Sequence, residues 1–285
     1  MRTESKKSPS TGFTLIELSI VLVIIGLIVG GVLVGKDLIS AAEIRAQISQ
    51  IEKYQTAVNT FRLKYGYLPG DIPDPTASSF GLLTRGTNSG EGDGNGILQA
   101  WYYGAGGPQI MGSCVNTGEE VQFWKDLADV GLTNDKVIGV TYLPFWASTG
   151  DTADATIINQ VLPPSKLDNK NHLYIWSDKG VNYIGVSVQT WLGACGQNSD
   201  PGIKVISAQS IDTKIDDGLP QTGKVTTAFN DGLRFAWPLT IGYASNATTG
   251  DTSTCSDSRG SAGAQPQYSL PTASNNANCA LSFRF

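Results

Sequence analysis

The sequence contains a run of 18 residues, Leu18 to Gly35, without a single charged side chain, and this run restricts the possible folds of the chain. At about 1.5 Å per residue, a helix of that length extends roughly 27 Å, which matches the hydrocarbon thickness of a bilayer. The run therefore predicts one membrane-spanning helix. Because Arg2, Lys6 and Lys7 precede it, the positive-inside rule predicts a cytoplasmic N-terminus and transfer of the larger C-terminal part across the membrane.

A lone carboxylate, that of Glu17, lies immediately before this run. A carboxylate inside a membrane helix costs on the order of a few kcal/mol and usually marks a function. A cut after Gly12 would retain the apolar helix and create an α-amino group on Phe13. This amine, from the same copy or a neighbouring one, would offset the charge of Glu17. Two other interpretations stay open, an uncleaved signal anchor and a Glu17 carboxylate that lies among lipid headgroups.

The segment TGFTLIELSIVLVIIGLIVGG at residues 11–31 resembles the class III signal of type IV prepilins and type II secretion pseudopilins. That signal has a short basic leader, Gly before the cut, Phe after it and Glu as the fifth mature residue, matching Gly12, Phe13 and Glu17. The resemblance implies that a prepilin peptidase cleaves after Gly12 and that Phe13 is N-methylated. It also implies that Glu17 pairs with the N-terminus of another subunit during assembly.

The resemblance implies a structural subunit of a type IV pilus (fimbrium) or a type II secretion pseudopilus. The implied partners are prepilin peptidase, other pilin or pseudopilin subunits, an inner-membrane assembly platform and membrane lipid. The implied location is the bacterial inner membrane, in a single-pass topology with a periplasmic head, and then a periplasmic or extracellular filament. An alternative is a minor, pilin-like tip subunit whose head binds a surface, DNA or a secreted substrate.

The helix is predicted to continue beyond the apolar run. No proline lies between Pro9 and Pro69, and apolar residues recur three or four apart from Ile44 to Tyr65 before a stop signal at Gly66. This pattern predicts one helix of about 50 residues, apolar all round in its first half and amphipathic in its second. A coiled-coil dimer is the competing interpretation. The predicted division is a cleaved leader at 1–12, a transmembrane and filament-core helix at 13–35, an amphipathic helix at 36–66 and a globular head at 67–285.

The head is predicted from short patterns separated by turn residues. His172–Trp176 and Val181–Val188 predict paired strands, Val205–Ile215 predicts a helix, and Leu281–Phe285 predicts a last strand. A capping box at Thr117–Glu120 predicts the start of another helix. The predicted fold class is α+β and pilin-like, with the long N-terminal helix packed on an antiparallel β-sheet head with long loops.

The four cysteines all follow the apolar run, and none forms a CxxC pair. In an exported head, this even number predicts two disulfides, for which three connectivities exist. We favour Cys255 with Cys279, which closes a short loop, and Cys114 with Cys195. Unpaired buried thiols are the alternative for a head that stays in the cytosol.

A glycine-rich segment offers a candidate calcium site. Glu91, Asp93 and Asn95 alternate with glycines in the order found at the start of an EF-hand loop, but Tyr102 stands where that loop needs a bidentate Glu. The segment therefore predicts either a calcium site with ligands Glu91, Asp93 and Asn95 or a plain glycine-rich turn. Calorimetric titration with calcium distinguishes the two, because a plain turn gives no binding heat.

Other functions are disfavoured by composition. The chain has a net charge of −5, and loss of the leader, which carries +2, makes it −7, so no nucleic-acid binding is expected. A single histidine, His172, is too few for a His-rich metal site and leaves little room for a Ser-His-Asp hydrolase. Asp212, Asp216 and Asp217 are interpreted as a solvated helix end. We therefore expect no enzyme, although unassigned carboxylates leave a membrane-tethered hydrolase as a third hypothesis.

Overall fold

The computed structural model describes residues 14–85, 92–98, 118–137, 155–168, 170–193, 196–230, 241–243, 246–247, 252–261 and 263–285. The chain divides into two compact units, one that ends at Ala42 and one that comprises Glu43–Phe285. The predicted boundaries at residues 12, 35 and 66 stay predictions.

Helix α1 (Leu15–Tyr65) is 51 residues long, which confirms the prediction of one long N-terminal helix. It ends where the sequence predicts, because Gly66 has a φ of +78° and its N–H donates to the carbonyl of Arg62 at 2.9 Å. A glycine adopts this left-handed conformation without the steric cost that a side chain would add.

Residues 43–65 of α1 belong to the second unit and supply part of its core. Its buried side chains follow helical spacing and include the aromatic Tyr54, whose ring lies 4.9 Å from that of Trp124 in an edge-to-face contact. These aromatics are therefore core residues of the head, as the pattern predicts. The buried residues of α1 are Ile44, Gln47, Gln50, Ile51, Tyr54, Ala57, Val58 and Phe61.

Five further helices and ten strands are described. The helices are α2 (Thr76–Ser79), α3 (Glu119–Asp129), α4 (Ala155–Val161), α5 (Val205–Ile215) and α6 (Leu270–Ala273). The strands are β1 (Asn171–Asp178), β2 (Val181–Gly193), β3 (Gly196–Asp200), β4 (Val225–Thr226), β5 (Ala228–Asn230), β6 (Ile241–Tyr243), β7 (Asn246–Ala247), β8 (Ser256–Asp257), β9 (Gln267–Tyr268) and β10 (Leu281–Arg284).

The main sheet has five antiparallel strands in the order β1-β2-β10-β4, with β3 also paired to β2. The predicted strand pair and last strand are thus confirmed, and the fold is α+β and pilin-like. At its centre Gly185 lies opposite Tyr174, and a Cβ at Gly185 would come within 2.3 Å of the Tyr174 ring. Two small sheets, β5-β6 and β7-β8-β9, were not predicted, and β7 pairs with β8 in parallel.

Helix α3 begins at Glu119, and its N-cap Gly118 provides no side-chain hydrogen bond. Thr117, from which the sequence predicts a capping box, lies outside the described residues, so that capping box stays a prediction. The helix is nonetheless amphipathic as expected, with Phe123, Trp124 and Leu127 fully or almost fully buried.

A buried ion pair ties the segment after α1 to α3. The guanidinium of Arg85 contacts both carboxylate oxygens of Asp126, at 2.7 and 3.1 Å, and neither side chain is exposed. Gly70 completes the network, because its N–H donates to Asp126 at 2.7 Å and its carbonyl accepts from Arg85 at 2.9 Å. Such a pair is costly to break on one side, since the remaining charge stays buried without a partner.

We expect Arg85→Met to lower the free energy of unfolding by about 3–5 kcal/mol, because Asp126 is left as an uncompensated buried charge. The double variant Arg85→Met/Asp126→Leu should recover part of this loss. Lys125→Met is the control, because it breaks a partly exposed pair with Asp129 and should cost less than about 1 kcal/mol. Urea denaturation of the detergent-solubilised protein, followed by tryptophan fluorescence, measures all three. Equal losses for Arg85→Met and Lys125→Met would contradict the prediction.

Candidate functional site

The start of α1 is built from a reciprocal pair, Thr14 and Glu17. The Thr14 N–H donates to Glu17 Oε2 at 2.8 Å, and the Thr14 hydroxyl donates to the same oxygen at 2.7 Å. In return the Glu17 N–H donates to Thr14 Oγ1 at 3.3 Å. This is a capping box, which satisfies backbone donors that the first helical turn leaves without intrahelical partners.

The capping box leaves half of the Glu17 carboxylate open. Both hydrogen bonds from Thr14 go to Oε2, and within the part of the chain that the structure describes Oε1 accepts none. The side chain is exposed, so Oε1 is accessible to a positively charged donor. The carboxylate is therefore positioned by its own helix start and can accept a further hydrogen bond from another group.

Thr14 was not predicted as a site residue, although its position in the sequence indicates this role. Thr14 and Glu17 stand three residues apart directly before an apolar run, which is the spacing of a capping box. Gly12 and Phe13, the predicted cleavage and methylation residues, lie outside the described residues. Their roles stay predictions, as does the assembly role of Glu17.

The apolar part of α1 presents a continuous uncovered surface. Its large hydrophobic side chains from Leu15 to Val34 are each between 50% and 91% exposed. By length and composition α1 can cross a membrane: its most apolar window has a mean hydropathy of 2.9, and none of that window is buried. A surface of this size and apolarity is stable only against lipid or other apolar protein.

A second site is formed by three carboxylates in the head. Asp71, Asp93 and Glu119 each place an oxygen within 4.8 Å of the others. Oxygen ligands at such spacing suit a hard cation such as calcium. Asp71 and Glu119 were missed by the sequence analysis because they are far from the glycine-rich segment in the chain and meet it only in the fold.

The same carboxylates hold the glycine-rich loop through its backbone. Asp71 accepts the N–H groups of Gly94 and Gly96, both at 2.7 Å, and Glu119 accepts that of Gly92 at 2.9 Å. Burial, together with the nearby charge of Asp93, raises the pKa of Asp71 to about 6, against the lowering effect of the amide hydrogen bonds. The two acids therefore already have a structural use as amide acceptors.

The predicted calcium ligands are only partly brought together. Glu91 lies outside the described residues, whereas Asp93 joins the three-carboxylate group. Asn95 donates its side-chain N–H to Asp93 at 2.8 Å, and its Oδ1 accepts the Ile97 N–H at 2.7 Å. The calcium site stays a prediction.

The interpretation of Asp212, Asp216 and Asp217 as a solvated helix end is wrong for Asp212. Its side chain is buried and accepts the Tyr268 hydroxyl at 2.8 Å and the Gly218 N–H at 3.2 Å. Burial raises the pKa of Asp212 to about 7, against the lowering effect of these hydrogen bonds. Asp216 is half-buried and Asp217 is exposed, so Asp217 is the member of this group that fully faces solvent.

The cysteines and His172 are the remaining candidate residues from the sequence. Cys255 and Cys279 are joined by a disulfide, whereas Cys114 and Cys195 lie outside the described residues and their pairing stays a prediction. His172 is buried on β1, with Nε2 2.9 Å from Asn159 Oδ1 and Nδ1 3.2 Å from the Lys170 carbonyl. Both ring nitrogens of His172 thus hold neighbouring segments together.

The raised pKa of Asp212 predicts that the head is more stable in mild acid. The folded chain binds the proton of Asp212 more tightly than the unfolded chain, in which this carboxyl has its ordinary pKa of 3.8. The free energy of unfolding therefore falls as pH rises from about 4 to about 7. Asp71 acts in the same direction, and His172, whose pKa burial lowers, acts in the opposite one. We therefore expect Asp212→Asn to become more stable relative to the parent as pH rises from about 5 to about 8. Thermal melts of both proteins measure this difference, and a difference independent of pH would contradict it.

Comparison with known proteins concerns the site at the start of α1. A family model, the prokaryotic N-terminal methylation motif, matches residues 7–33, which include the Thr14–Glu17 capping box and most of the apolar run. No curated protein and no solved structure matches the chain. Residues 7–33 therefore carry the prepilin-type cleavage and methylation signal of type IV pilins and pseudopilins.

Proposed function

We propose that this chain is a structural subunit of a type IV pilus or a type II secretion pseudopilus. In this proposal the leader is removed after Gly12, Phe13 is N-methylated, and the mature subunits associate through α1. The observation that carries the proposal is the half-open carboxylate of Glu17 at the start of an exposed apolar helix, inside the matched methylation motif.

The physical argument begins with the cost of a charge beside lipid. An unpaired carboxylate there is unfavourable by about a few kcal/mol, and an opposite charge in low dielectric lowers that cost. Cleavage after Gly12 would supply an α-amino group one residue before Thr14. If the amine of one subunit reaches the open Oε1 of Glu17 in the next, the pair neutralises both charges and sets the axial register of adjacent helices.

The exposed helix surface is compatible with both stages of this life cycle. Before assembly, lipid covers the side chains between Leu15 and Val34 in the inner membrane, with the head in the periplasm. After assembly, the same side chains pack against other copies of α1 in a periplasmic or extracellular fibre. Prepilin peptidase and the inner-membrane assembly platform are the expected partners for the two steps, and the motif marks a class that is generally structural and not catalytic.

Processing is tested at Gly12. We expect mass spectrometry of the membrane-extracted parent protein to find a chain that begins with methylated Phe13. The variant Gly12→Glu should keep the leader, because a large charged side chain takes the place of the residue before the cut. Ser8→Ala, in the same leader, is the control and should be processed like the parent. A parent protein that still begins at Met1 would refute this step.

Assembly is tested at the capping box. We expect Glu17→Gln to be processed normally but to give at least about tenfold less subunit in sheared filaments, because the charge pair is lost. Thr14→Val removes the hydroxyl cap, which is worth about 1 kcal/mol, and should lower the amount of subunit in filaments roughly fivefold. Thr14→Ser keeps the cap.

The control for these variants is Ser19→Ala, which removes a hydroxyl bonded only to the Ile16 carbonyl in the next part of the helix. Quantitative immunoblots of sheared filaments and of membranes measure all four variants. Normal filament yields from both Glu17→Gln and Thr14→Val would count against the proposed role of this pair.

A further inference from the structure

Two adjoining clefts on the second compact unit have Arg284 and Phe285 in their shared wall. The larger cleft, of about 450 Å³, is also lined by Arg62, and the smaller, of about 350 Å³, is also lined by Lys224. We call the surface formed by Arg62, Lys224, Arg284 and Phe285 the basic groove. It concentrates three cationic side chains on a protein whose net charge is negative.

The cations of the basic groove are available for a partner. All three side chains are exposed. Across the described ranges, the ion pairs are Arg85–Asp126, Lys125–Asp129 and Lys179–Asp178, so Arg62, Lys224 and Arg284 take part in none.

Two carboxylates beside the groove accept backbone N–H groups. Asp71 lines the larger cleft, but it is buried and accepts the amides of Gly94 and Gly96. Asp216 accepts the backbone N–H of Lys224, and no ion pair joins it to the ammonium group of that lysine. Among the described residues, therefore, no ion pair engages Arg62, Lys224 or Arg284.

We infer that the basic groove receives a carboxylate-bearing surface of a second copy of this chain in the assembled filament. This inference rests on the proposed function, which brings many copies side by side. Without the leader each copy carries a net charge of −7, from −5 for the chain less +2 for residues 1–12. A neighbouring copy is thus an abundant source of carboxylates, and an arginine fork binds a carboxylate with two parallel hydrogen bonds.

The sign of the charge determines the type of contact. Two basic grooves repel each other, so the groove of one copy must meet a different, acidic surface of the next. Such a heterologous contact repeats along an open helical assembly unless its rotation closes a ring. The basic groove therefore suits a filament better than a symmetric dimer.

Nucleic acid is a poorer occupant for the same surface. A phosphate backbone is bound by many cations at once, whereas the groove offers three, and the net charge of −7 repels a polyanion at longer range. Phe285, which is half-buried, adds apolar contact area at both clefts, which suits a protein segment.

The first test removes two charges from the groove in the full-length chain, in cells that assemble the filament. We expect Arg62→Gln/Arg284→Gln to be processed like the parent but to give about tenfold less subunit in sheared filaments. The matched control Lys136→Gln/Lys170→Gln removes two exposed charges elsewhere. Its amount of subunit in sheared filaments should stay within about twofold of the parent's. Arg62→Lys/Arg284→Lys keeps the charges and should retain most of the assembly, which separates the loss of charge from a folding defect.

The second test identifies the occupant. A photoreactive benzoylphenylalanine at Asn59, which lines the smaller cleft, should crosslink in intact filaments to a second copy of the chain, through a peptide that contains Asp or Glu. A crosslink to nucleic acid or to a different protein, or none in filaments, would overturn the inference.

Failure of the inference can be told apart from failure of the proposed function. If the parent protein never enters filaments, the proposed function is wrong. If the parent assembles and Arg62→Gln/Arg284→Gln assembles equally well, only the role of the basic groove is wrong.

Discussion

The hydrogen bonds between Thr14 and Glu17 are the interaction on which the proposed behaviour of this protein depends. A carboxylate beside an apolar helix needs donors, and Thr14 gives both of its own to one oxygen. The helix start is thereby stabilised while the second oxygen stays accessible. One residue can therefore take part in the folding of a single chain and in the association of several, because the two uses do not compete for the same atom.

The same chemistry recurs in the head, where acids act mainly as acceptors for segments without regular structure. Asp126 receives Arg85 and the Gly70 amide, Asp71 and Glu119 receive the amides of the glycine-rich loop, and Asp212 receives Tyr268 and a loop amide. Carboxylates that accept several N–H groups can hold a loop without secondary structure. These four acids therefore have an architectural role in the head.

The sequence predicted those helices and strands whose formation depends on residues close together in the chain. The helical stripe ending at Gly66, the helix Val205–Ile215 and the strand pair after Asn171 follow from periodicity and turn residues, and the structure has all of them. Burial of Asp212 could not be predicted, because its partner Tyr268 is remote in sequence and only the fold covers the aspartate. The carboxylate group around the glycine-rich loop was missed for the same reason. Thr14 was different, since its spacing from Glu17 was visible in the sequence.

The disulfide between Cys255 and Cys279 has a consequence for how the protein withstands digestion. Arg259 lies between these two cysteines in an exposed turn, which is where a trypsin-like protease finds its substrates. A nick after Arg259 would leave both fragments covalently linked, and β10, which pairs with two strands of the main sheet, would stay attached to the rest of the head. Such a cut would become visible as separate fragments only after chemical reduction, so a filament of the proposed kind could accumulate nicks without losing the C-terminal fragments of its subunits.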